Sequence, residues 1–180
     1  MKKTFLIALT LLILSCKTET KIENPNGIYS DAELIELNGM VSDFDEILTS
    51  KYKTENIVEA YHEFSKIVAE ENRVPIPKGL EDLSDKVLDL KVFDKIWRKN
   101  IDQHVPGKFY LNSNGEYLSY LEYIGKKSEF INIYVDEYKS AHDILPSIID
   151  GFSTNIKELD LTNKNYRLIF AVHYLTLINR

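Results

Sequence analysis

Glu59, His62 and Glu63 are the first side chains in this chain whose types and spacing invite chemistry. His62-Glu63 opens like the His-Glu-x-x-His motif, in which a second histidine four positions on places both imidazoles on one helical face toward one zinc ion. Position 66 is Lys66, so that site cannot form. Glu59 and His62 also have the Glu-x-x-His spacing of di-iron bundles, but such centres need two of these pairs plus two further glutamates. None of His104, His142 or His173 has Asp or Glu three residues earlier. The reading is an ordinary Glu-His pair on a helix, and no metal or other cofactor is expected.

His173 lies midway along the most apolar stretch of the chain, with Arg167 six residues before it. Burial disfavours the imidazolium, and a buried guanidinium requires a carboxylate. Two readings follow: a polar site inside the core, or a satisfied core histidine with an arginine at the exposed start of its helix. The second is favoured, because nothing else in the sequence converges on the pair.

Tyrosine is frequent, with 11 copies, and Tyr117, Tyr120 and Tyr123 recur every third residue. At about 100° per residue, Tyr117 falls beside Leu121 and Ile124, Tyr120 at the edge of that face, and Tyr123 largely away from it. Exposed Tyr123, together with Tyr110 and Trp97, is the candidate contact for a partner or a sugar, since aromatic side chains suit such surfaces. No catalytic residue is nominated. The chain has no glycine-rich phosphate loop and no Gly-x-Ser-x-Gly elbow, and its acidic residues read as solvated helix faces.

Cys16 is the only cysteine. It follows Lys2-Lys3, the apolar run Phe5 to Leu14 and Ser15, and it precedes the polar stretch Lys17-Thr-Glu-Thr-Lys. An apolar run of roughly ten residues is about half the ~20 needed to span a bilayer. Ile13-Leu14-Ser15-Cys16 fits a lipobox, and the whole segment resembles a bacterial lipoprotein signal peptide. That resemblance implies cleavage before Cys16, lipid attachment at Cys16, a place in the cell envelope, and anchoring to the membrane through the acyl chains. Lys17 is not the aspartate that retains enterobacterial lipoproteins in the inner membrane, which makes the outer membrane the expected destination in a cell with two membranes.

Removing residues 1–15 leaves 165 residues and moves the formal charge from -6 to -8. Such an acidic domain argues against nucleic acid or an anionic lipid surface as a binding partner. Lys126-Lys127 and Arg98-Lys99 are isolated basic pairs that read as solvated faces. With Cys16 acylated, no thiol remains for a disulfide or a thiolate metal site.

The elements that must position these residues are helical. Residues 16–29, with Pro25 and Gly27, read as the lipidated N-terminus and a flexible tether, and 30–180 as one helical domain. Ser30 caps a helix on which Leu34, Leu37, Val41, Phe44 and Leu48 line one face, and Ile57, Tyr61, Phe64 and Val68 repeat that spacing after Thr54. Leu80 through Trp97 continue the rhythm as one helix or two. Asn100 to Gly115 is irregular, apart from a short extended piece at Phe109-Tyr110-Leu111. Helices follow from about Glu116 to Gly125, Ser128 to Ala141, Pro146 to Phe152 and Asn163 to Ile178. The last is apolar almost all round, hence central. The expectation is an all-α, single-domain bundle of six or seven helices around a buried C-terminal helix.

Three functional classes survive this reading. A non-catalytic envelope lipoprotein that binds another protein, as adaptor or accessory subunit, leads. A small-ligand or glycan-binding lipoprotein is the alternative, and an enzyme with a site assembled from distant residues comes third.

Overall fold

A computed structural model describes residues 21–102, 104 and 107–179. Cys16 and the leader before it lie outside the described residues. Ser30 starts the first helix through a reciprocal capping box: its hydroxyl accepts the Glu33 N–H, and the Glu33 carboxylate accepts the Ser30 N–H at 2.7 Å. Helix α1 then runs Asp31–Tyr52 and stops at Lys53 in the left-handed region. Asn56, rather than Thr54, caps α2 (Ile57–Glu71) by accepting the N–H groups of Val58 and Glu59. These two helices pack together through Phe44, Tyr61 and Phe64.

The stretch expected as one or two helices is more broken. Helix α3 (Leu80–Lys86) passes into a single tight turn at Val87–Asp89, and α4 (Phe93–Ile96) is one turn long. Trp97 leaves the helix altogether and opens strand β1 (Trp97–Lys99), which pairs antiparallel with β2 (Phe109–Leu111) in the register Trp97↔Leu111, Arg98↔Tyr110, Lys99↔Phe109. Period-three-to-four spacing therefore ends at Ile96. Because side chains alternate along a strand, Trp97 and Leu111 go into the core while Arg98 and Tyr110 face outward.

Gly115 turns the chain out of the hairpin into α5 (Glu116–Gly125), and a Cβ there would run into the carbonyl oxygen of Lys95. Ser128 caps α6 (Glu129–Ala141), Pro146 occupies the first turn of α7 (Pro146–Thr154), and Asn163 caps α8 (Lys164–Leu177). Every residue of α8 except Tyr166 is buried. Phe170 and Tyr174 meet Phe64 from α2 and Phe152 from α7, so α8 is the post around which the other helices stand. Among the described residues there are eight α-helices and a two-stranded sheet, an all-α arrangement with one helix more than the upper expectation. None of these helices is long and apolar enough to cross a membrane.

The expected flexible tether needs correction from Lys21 onward. Ile22 is only 6% exposed, and the Asn165 side chain accepts the Glu23 N–H at 2.8 Å and donates to the Lys21 carbonyl at 3.3 Å. Pro25–Gly27 forms a tight helical turn, and Asn24 brackets it by bonding both backbone polar groups of Tyr29. Tyr29 is buried against Tyr120. Residues 21–29 are thus a strap packed along the domain.

Candidate functional site

The polar groups on α8 are committed to holding the core. Arg167, expected at an exposed helix start, is 2% exposed. Its Nε lies 3.3 Å from Asp45 of α1, and its Nη1 donates to the carbonyls of Leu161 and Thr162. Tyr61 adds a further tie by donating to the same Asp45 oxygen at 2.6 Å. A buried guanidinium needs such a carboxylate and such carbonyls to offset its lost hydration. His173 is fully buried, stacked on Phe152 at 4.4 Å, with its Nδ1 3.2 Å from the Tyr134 hydroxyl. It is a core histidine whose Nδ1 meets Tyr134, and its helix carries a buried arginine rather than the exposed one expected.

His62 is half-buried on α2. Burial, with Lys157 nearby, lowers its affinity for a proton, and Glu63 opposes this. Among the described residues no group of three or more His, Cys, Asp or Glu side chains is placed to hold a metal ion.

The three aromatic candidates do not form one surface. Trp97 is fully buried, and its indole N–H donates to the Thr176 hydroxyl of α8 at 2.8 Å. It leaves the platform as a correction: the strand alternation turns it inward. Tyr123 is half-buried, with the Lys127 ammonium 4.5 Å from its ring centroid and 3.2 Å from its hydroxyl. Lys127 in turn reaches Glu23 of the strap, and this contact holds the Glu23 carboxyl below its ordinary range. Tyr117 and Tyr120 are both core residues; burial pushes both hydroxyls well above the usual tyrosine range.

Tyr110 is at the other end of the molecule from Tyr123. Helix α6 begins beside Lys127 and carries the chain about 20 Å to its C-terminal His142, which lies with Tyr110 in a cleft of about 510 Å³. The cleft is framed by the outward strand face, Arg98 and Tyr110, by Lys99 and Ile101, and by His142 and Asp143. Ile101 is 96% exposed. The Arg98 cation, an aromatic ring and an uncovered aliphatic side chain can grip an acidic or amphipathic surface through charge and apolar contact at once, while the Lys99 ammonium lies over the Phe93 ring.

Sequence reading dismissed Arg98-Lys99 as a solvated pair and found nothing beside His142. Only the cross-strand register Arg98↔Tyr110 carried a signal, and it becomes visible once Trp97 is assigned to a strand. Compared with protein-family models, curated proteins and solved structures, the chain matches none.

Proposed function

We propose that this chain is a membrane-anchored envelope lipoprotein whose helical domain is a non-catalytic protein-interaction module, an adaptor or accessory subunit. One observation carries the anchor: the sole cysteine sits directly after a basic start, an apolar run too short to span a bilayer, and Ser15. Two or more acyl chains on that residue would give stable attachment where one is marginal. The interaction reading is supported by how the domain uses its polar groups. Arg167, His173, Thr176 and Asn165 are tied up within the core, whereas Arg98, Tyr110 and Ile101 face outward together at the hairpin. Arginine and tyrosine are the residue types that most often dominate protein-binding energetics.

A second reading has its own support. The hairpin cleft, about 510 Å³, falls within the size range of small-molecule sites, roughly 300–1,000 Å³. It would suit a carboxylated sugar or a similar anionic ligand.

The test is crosslinking and affinity purification of the tagged, lipidated protein from its native envelope, beside Cys16→Ala and an Arg98→Ala/Tyr110→Ala double variant. A partner recovered in near-equal amount with the parent and lost with the hairpin variant supports the adaptor reading. Efficient crosslinking that recovers the protein alone, with a soluble-domain ligand screen reading out at Arg98, shifts the assignment to ligand binding. Persistence of Cys16→Ala in the membrane fraction with unchanged mobility overturns the anchor.

A further inference from the structure

The strap fixes where the folded domain begins in space. Lys21 is held by Asn165 at the N-terminal end of α8, and Glu23 by Lys127, just past the C-terminal end of α5. Only Lys17, Thr18, Glu19 and Thr20 stand between Lys21 and Cys16. Five residue steps of fully extended chain reach at most about 18 Å. A domain whose α6 and α8 each run about 20 Å cannot turn over freely on so short a connection.

Both helices start at the strap and run away from it. Ser128, the cap of α6, directly follows Lys127, and α6 ends at His142 beside the hairpin. Helix α8 starts beside Asn165 and ends near Asn179, which bonds Ser84 of α3; Asp85 on the same helix pairs with Lys108 of the hairpin loop. The strap end, meaning Lys21–Glu23, therefore lies opposite the hairpin end, while Ile28 at the strap's other end accepts a hydrogen bond from Lys95 of α4.

Resting on the lipid anchor at Cys16 proposed above, we infer that the strap end, bearing Lys21, Tyr123, Lys126 and Lys127, is held against the phospholipid headgroups and that the hairpin end points away from the bilayer. The occupant of this surface is the bilayer itself. Tyrosine and lysine side chains suit the headgroup level, because each combines an apolar body with a polar tip. Lys127 is already paired with Glu23, so attraction to anionic lipid is the minor cause and the short connection the major one. The consequence is an orientation in which the Arg98–Tyr110 cleft faces the aqueous compartment, open to a partner that is not in the same membrane.

The lipidated full chain, reconstituted into phospholipid vesicles containing headgroup spin-labelled lipid, tests this. Cys16 is acylated, so an introduced cysteine carries the only free thiol for an environment-sensitive dye. The label at Lys126→Cys is expected to be quenched and that at Ile101→Cys not. A ten-residue Gly/Ser spacer between Thr20 and Lys21, adding about 18 Å of root-mean-square reach, should abolish the quenching while the protein still floats with the vesicles. Equal quenching at both positions in floating protein overturns the orientation alone. Quenching at Lys126→Cys that survives the spacer overturns the short connection as its cause. Failure to float overturns the anchor, and the orientation with it.

Discussion

Glu33 answers to three groups at once: the Ser30 N–H, the Ser30 hydroxyl at 2.9 Å and the Lys95 ammonium at 2.9 Å. Burial pushes its carboxyl up, but the Ser30 and Lys95 bonds together hold it below the ordinary 4.5. A carboxyl lowered on folding stabilises the native state above its unfolded value, and that contribution is lost as pH falls through the lower folded value. Urea midpoints for Glu33→Gln should therefore fall less steeply below pH 4.5 than those of the parent. Ser30→Ala should cost about 1 kcal/mol near neutrality, the usual worth of a helix cap. The Asp45 and Arg167 pair predicts a larger effect. Asp45→Ala strands a buried guanidinium and should cost about 3 kcal/mol or more, whereas Asp45→Leu combined with Arg167→Met should recover most of that in the same urea titration. Sequence favoured an exposed Arg167 and showed only that a buried one would need a carboxylate. It did not show which one, because Asp45 is distant in the chain and comes close only when α1 packs on α8.

Among the elements, helix period was sufficient wherever the apolar face ran long. Leu37, Val41, Phe44 and Leu48 are buried on α1, and Tyr61, Phe64 and Val68 on α2, as their spacing implies. Ser30, Ser128 and Asn163 cap the helices they precede, because a short side-chain acceptor before an apolar run has few other uses. Leu80 to Trp97 misled for a physical reason. Spacing of three and four does not distinguish a continuous helix from short helices joined by tight turns, when each piece presents one apolar side chain per turn. The strap was missed because Pro25 and Gly27 report only that the backbone bends. What docks it is Ile22 against the core and Asn165 reaching back from the far end of the chain. Asn165→Ala should then release residues 21–24, read as faster amide exchange at Glu23 and as easier proteolysis there, while α8 remains protected.

For the whole molecule, the concentration of buried phenols sets an alkaline limit. Burial raises the hydroxyls of Tyr29, Tyr117, Tyr120 and Tyr174 above the ordinary 10, and it pushes that of Tyr52 up to about 12. The unfolded chain releases these protons at lower pH than the folded one, so stability intact below about 10 declines as pH rises beyond it. The share of tyrosinate absorbance that belongs to these five should consequently appear in a cooperative step that coincides with loss of far-ultraviolet ellipticity; full ionisation of all 11 tyrosines with helicity intact would contradict the burial described.

The single tryptophan lies where the hairpin meets α8, enclosed by Phe93 and Phe109 and bonded to Thr176. The protein thus carries a built-in optical reporter at the base of its hairpin. Emission from Trp97 observes the junction between hairpin and central helix, and anything that pries the strands from α8 alters its colour before the rest of the bundle responds.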